Sequence, residues 1–178
     1  MMIARLLRLG AVGVVALVLQ VGLFDQVVVG YAHVDLLIVL AAASGVVLGS
    51  EEGATVAFFL GLIADLAVEL PFGLSGLCFV LVAFGTGLAA SATTGRDRHS
   101  ADVALCVVGS GLGTILYALL GALLGQPSML GASTAVTVLV VVAGAIVLGY
   151  PCLAALRWAT GSAAARSLAV PNGGSALR

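Results

Sequence analysis

The sequence predicts an all-α, polytopic integral membrane protein: six transmembrane helices in one compact bundle, with the N and C termini cytoplasmic. Composition is the first reason. Of the 178 residues 62% are hydrophobic and only 8% charged, with a mean hydropathy of +1.26, where soluble domains carry about 25% charged residues. The second is that the apolar residues fall into six runs, most of them within the ~17–25 residues needed to cross a hydrocarbon core of ~30 Å. The third is that all seven basic residues, every one an Arg, sort to one side of the membrane when the number of spans is even. A chain of this length has no room for a soluble domain of ~100 residues beside the spans, so its function is expected to be carried by helices and short loops.

The first span is expected at residues 6–24, with Arg5 and Arg8 at its start. Basic residues before an apolar run also begin a signal peptide, but five more spans follow and no clear small-residue cleavage site appears, so a retained helix is expected. The second span is placed at 34–49 and the third at 53–70, both near the short end of the range, with Glu51-Glu52 and Pro71 punctuating tight hairpins. The fourth follows at 72–91, the fifth at 102–124 and the sixth at 129–150. Residues 1–157 form the transmembrane domain, and 158–178, rich in Ala, Gly and Ser, form a short flexible cytoplasmic tail.

Orientation follows from the arginines, because cytoplasmic loops retain them. Arg5 and Arg8 lie at the start of span one, Arg96 and Arg98 between spans four and five, and Arg157, Arg166 and Arg178 after span six. The loops at 25–33, at Pro71 and at 126–128 are then outside.

Asp65 is the residue that most demands an explanation. A carboxylate at membrane depth costs about 2.5–3.5 kcal/mol on insertion scales and is kept for a partner or a purpose. At ~1.5 Å per residue it lies roughly 18 Å from the Gly53 end of span three, in the outer half of the membrane. Residues four apart share a helix face, so Gly53, Ala57, Gly61, Asp65 and Glu69 form one stripe, small at one end and acidic at the other. Val56, Phe59, Leu60, Ile63 and Leu66 occupy the other face. Span two offers Ala41, Gly45 and Gly49 at the same spacing, and small-xxx-small rows permit close backbone approach where lipid supplies no hydrophobic drive. With 24 Gly in so apolar a chain, ordinary glycine enrichment of membrane helices is the bland explanation; a tight hairpin of spans two and three is preferred. Ser110, Thr114, Tyr117 and Gly121 form a polar row on span five, and Ser133, Thr134 and Thr137 another on span six. Helix-to-helix hydrogen bonds and a small cavity lining both fit these rows.

Chemistry-bearing constellations are sparse. Cys78, Cys106 and Cys152 lack CxxC spacing and read as small apolar residues, so neither a disulfide, a metal nor any other cofactor is expected. His33 and His99 fall in loops assigned to opposite faces. Gly73-Leu74-Ser75-Gly76 resembles the G-x-S-G of rhomboid intramembrane proteases, but a serine nucleophile needs a base within hydrogen-bond reach. Spans five and six contain no His. The expectation is a turn and helix start, with the Ser75 hydroxyl satisfied locally, and not an enzyme.

The stretch from His33 to about Gly87 carries a further resemblance. Val34-Asp35-Leu36-Leu37 opens span two, a turn follows near Glu51-Glu52-Gly53, Phe59-Leu60-Gly61-Leu62 leads to Asp65, and Pro71, Gly73 and Leu74-Ser75-Gly76-Leu77 follow. This pattern resembles the rod shape-determining protein MreD family, over about a third of the chain; the G-x-x-x-D step and the P-x-G turn after a D-L-L helix opening are its distinctive part. Spans one, five and six match in hydropathy, and Phe84-Gly85-Thr86-Gly87 departs from the aromatic that many relatives have late in span four. The resemblance implies a non-enzymatic subunit of the bacterial cell elongation machinery in the cytoplasmic (inner) membrane. Its partners would be the lipid bilayer and an MreC-like protein, and through the complex MreB, RodA-type synthases and class B penicillin-binding synthases; no nucleic acid is expected. Candidate helix-packing or partner-binding residues are Asp35, Gly45, Gly49, Gly53, Gly61, Asp65, Glu69, Pro71 and Gly73, and Arg96 and Arg98 are candidate cytoplasmic contacts.

The alternative from another class is the substrate-binding S component of an energy-coupling factor vitamin transporter, in which Asp65, Glu69 and the span-five hydroxyls would line a ligand site. Span one lacks the A-x-x-x-A rows that engage a coupling subunit: Ala4 faces Arg8, Ala11 faces Val15 and Ala16 faces Gln20. A channel is disfavoured by the few polar residues in spans one, two and four.

Overall fold

Every residue from Leu36 to Gly45 is buried, which makes the shortest of the six helices among the described residues the centre of the fold. The computed structural model describes residues 2–23, 28–29, 32–33, 35–67, 73–93, 98–123 and 132–161. Among these, the elements in chain order are α1 (Met2–Gly22), β1 (Val28–Val29), β2 (Ala32–His33), α2 (Leu36–Leu48), α3 (Ser50–Ala67), α4 (Leu74–Ala92), α5 (Arg98–Leu123) and α6 (Ala132–Thr160). The two short strands pair antiparallel, Val28 opposite His33 and Val29 opposite Ala32, inside the stretch expected as a loop.

Among the described residues, four helices contain segments long and apolar enough to cross a membrane: Ala4–Gly22, Leu74–Ala92, His99–Leu123 and Thr134–Thr160. The other two differ from the expected spans. α3 has 18 residues but includes Glu51, Glu52 and Asp65. α2 has 13 residues, only ~20 Å at ~1.5 Å per residue. Its surroundings explain the shortness. α1, α3, α4, α5 and α6 all pack against α2, and a helix enclosed by protein has no obligation to match the thickness of lipid. Enclosure on every side also explains why its sequence is apolar all round, without a polar face.

α6 runs ten residues past the expected end at 150, through Pro151. Proline removes one backbone donor, yet apolar helices packed among neighbours tolerate it. Trp158, Ala159 and Thr160 are therefore helical, and the boundary expected after Arg157 falls within α6; residues 162–178 lie outside the described part of the chain.

α2 and α3 are separated by one residue, Gly49, at φ 89°. A side chain is strained in that left-handed conformation, so glycine fits the corner. Ser44 of α2 then donates its hydroxyl to the Gly53 carbonyl of α3 at 3.0 Å. The small residues do more than join this hairpin. A Cβ on Gly53 would meet the Gly45 Cα at 2.6 Å, but one on Gly45 would meet the Ala83 carbonyl of α4 at 2.0 Å, and one on Gly61 the Gly76 Cα of α4 at 2.4 Å. The row expected to bind α2 to α3 thus builds a three-helix seam of α2, α3 and α4 at backbone contact. Thr86 of α4 donates across it to the Ala42 carbonyl at 3.0 Å. On α5, Ser110 and Thr114 donate to the carbonyls four residues back in their own helix, at 2.7 and 3.0 Å. Those two hydroxyls are satisfied within α5.

Candidate functional site

The seam places Asp65. Where Gly61 holds α3 and α4 at backbone distance, the next turn of α3 brings position 65 against the start of α4. A helix start presents backbone amides with no partner inside the helix. Gly73, the residue capping α4, stands at φ 101° and has no side chain to offer them. Asp65 supplies what is missing: one carboxylate oxygen accepts from the Gly73 amide at 2.8 Å and the other from the Ser75 amide at 3.2 Å. With Asp65 only 4% exposed, its charge is met by two directed donors and by the positive end of the α4 dipole. The cap comes from a different helix, so it also joins α3 to α4.

A second start lies close by. Asp35 caps α2 by accepting from the Leu37 and Ile38 amides at 3.0 and 3.1 Å. The Leu36 amide goes instead to Gln20 of α1, whose side-chain oxygen accepts at 2.7 Å while 92% of the residue is withdrawn from solvent, its exposure being 8%. Tyr117 of α5 lies near Ser75 of α4, Asp65 of α3 and Asp35. Side chains of α1, α2, α3, α4 and α5 thus converge on one polar joint built around two helix N-termini.

The opposite ends of the helices carry the charged pairs. Arg5 of α1 meets Glu52 of α3 at 2.5 Å. Arg157 of α6 pairs with Asp102 of α5, with both side chains largely buried. Arg157 also lies 3.3 Å from the His99 Nδ1, and because a guanidinium only donates, that nitrogen is the acceptor. The His99 ring packs edge-on against Tyr150, 5.8 Å between centroids. Arg8 sits over the Trp158 ring at 5.5 Å. These contacts tie α1 to α3, α5 to α6 and α1 to α6.

The candidate residues therefore divide between places. Asp35, Asp65 and Gly73 belong to the polar joint; Gly45, Gly53 and Gly61 to the seam; and Gly49 to the corner at the Glu52 end. Glu69, Pro71 and Arg96 lie outside the described residues, as does the side chain of Arg98, which opens α5. Ser75 stands in the polar joint and His99 at the opposite end. Cys78, Cys106 and Cys152 are buried free thiols, and the described residues hold no group of three or more His, Cys, Asp or Glu suited to a metal ion. Sequence reasoning missed Gln20, whose signal was a lone amide in the last turn of an apolar helix. It also missed the pairing of Asp102 with Arg157, each of which read singly as a span boundary or topology residue.

No protein-family model, no curated protein and no solved structure matches the chain.

Proposed function

We propose that the chain is a non-enzymatic, MreD-like membrane subunit of the bacterial cell elongation machinery, helping to organise an MreC-like protein, MreB and the peptidoglycan synthases during lateral wall growth. The observation that carries the reading is the Asp65–Gly73–Ser75 joint. The residues on which the resemblance rests, the G-x-x-x-D step of α3 and the glycine turn that opens α4, meet as one interlocked unit. Asp35, from the helix opening of the same pattern, caps a neighbouring helix start. The Asp65 carboxylate is engaged by the chain's own amides, which favours an architectural role over the ligand site of a transporter S component.

In this reading the helices form a six-span bundle in the inner membrane with both termini cytoplasmic. The clustering of Arg5, Arg8 and Arg157 at one end supports that orientation, and the enclosure of α2 supports counting it as a span despite its length. Shape would be set through helix surfaces and charged rims that partner proteins engage. Depletion in the native rod-shaped cell tests the proposal: cells should widen and round, and re-expression of the chain should restore the rod, while the Asp65→Leu variant should restore it poorly. Unchanged cell shape after depletion would overturn the reading.

A further inference from the structure

Between α1, α2 and α6 runs an apolar groove of about 560 Å³, a volume within the ~300–1,000 Å³ of small-molecule sites. The buried Leu36 and Leu40 of α2 line it together with Ala11 and Val15 of α1 and Pro151 and Ala155 of α6. Along α1 the lining extends from Ala11 to Leu23, ~18 Å at ~1.5 Å per residue, close to the ~15 Å depth of one leaflet of a ~30 Å core. The groove is long and apolar, and its length suits one extended hydrocarbon chain. Only 17% of the α1 span is buried within the protein, so the groove opens on its flank to the membrane.

One mouth is different in character. Trp158 lines the groove there and carries the Arg8 guanidinium above its ring. Arg5 and Arg157 are paired with carboxylates, but among the described residues Arg8 has no ion pair. Stacking on an aromatic face leaves the in-plane N–H donors of a guanidinium free for an anion, and Trp and Arg are side chains that settle at headgroup level. A cation lacking a counter-ion thus stands at the end of a chain-sized apolar groove.

We propose that this groove holds one acyl chain of a phospholipid whose anionic headgroup is bound by Arg8 above Trp158. The test is native mass spectrometry of the full chain in mild detergent, titrated with phosphatidylglycerol and with phosphatidylethanolamine of the same acyl composition. Wild type should retain the anionic lipid at concentrations about fivefold lower than the zwitterionic one, the preference expected of one arginine near a headgroup. Arg8→Gln should remove that preference while leaving some binding, and Ala155→Phe, which fills the groove, should abolish retention of both lipids. Ala11→Phe on α1 gives the same readout should Ala155→Phe fail to fold. Equal retention of the two lipids by wild type, or an unchanged preference in Arg8→Gln, would overturn the proposal. So would undiminished binding in a folded groove-filled variant, or a second protein's helix recovered in stoichiometric amount without lipid.

Discussion

The Asp65 carboxylate of α3 and the backbone amide of Gly73 at the start of α4 are joined by a 2.8 Å hydrogen bond. A buried anion is costly in hydrocarbon and a helix N-terminus needs acceptors, so each satisfies the other's requirement. Asp65→Leu should leave the Gly73 and Ser75 amides without that acceptor, at about 1–3 kcal/mol each. The expected outcome is a clear fall in the thermal midpoint in detergent, read by thiol labelling as the buried Cys78, Cys106 and Cys152 become accessible. Asp65→Asn, which keeps one acceptor oxygen, should fall less; a midpoint equal to wild type for Asp65→Leu would remove the cap from the account.

Arg157 and Asp102 make a different prediction, because both are charged and largely withdrawn from solvent. Removing one partner of such a pair strands the other and costs about 3–5 kcal/mol, whereas replacing both by apolar residues is often neutral. Arg157→Met and Asp102→Leu should each destabilise strongly and the double variant should recover most of the loss in thermal unfolding. Simple additivity of the two single losses would contradict the pairing.

Asp65 was legible in the sequence because an intramembrane carboxylate has few bland explanations, and the glycine rows because spacing of four maps directly onto a helix face. Gln20 and the Asp102–Arg157 pair were not, since their partners lie 16 and 55 positions away and nothing local announces them. The central position of α2 was hidden for another reason: hydropathy reports that a segment avoids water, not whether it faces lipid or protein. The same limit drew the end of span six at Tyr150, where a proline follows, although packing carries α6 through it to Thr160.

Glycine substitutions should separate by position. A Cβ on Gly61 would lie 2.4 Å from a backbone atom of α4, whereas one on Gly85 would meet nothing within 4 Å. Overpacking against backbone typically costs about 1–3 kcal/mol, and changes in open positions stay within about 0.5 kcal/mol. Thermal unfolding should therefore show Gly61→Ala well below wild type and Gly85→Ala close to it. Equal midpoints for the two variants would argue against the backbone contact.

Gln20 gives a test of how α1 is held. Its carboxamide accepts from the Leu36 amide, so Gln20→Leu should leave a buried donor unmet at about 1–3 kcal/mol. The expected outcome is faster hydrogen exchange at Leu36 than in wild type, with the amides of Leu37 and Ile38 still protected by Asp35. Unchanged exchange at Leu36 would mean that α1 contributes no cap to α2.

The most direct test of the proposed role is copurification of the tagged chain from its native membranes in mild detergent, with mass spectrometry of what accompanies it. An MreC-like protein together with cell-wall synthases is the predicted recovery, diminished for Asp65→Leu. Recovery of a membrane coupling subunit with two ATPases, and no wall-synthesis proteins, would contradict the account and identify a transporter component instead.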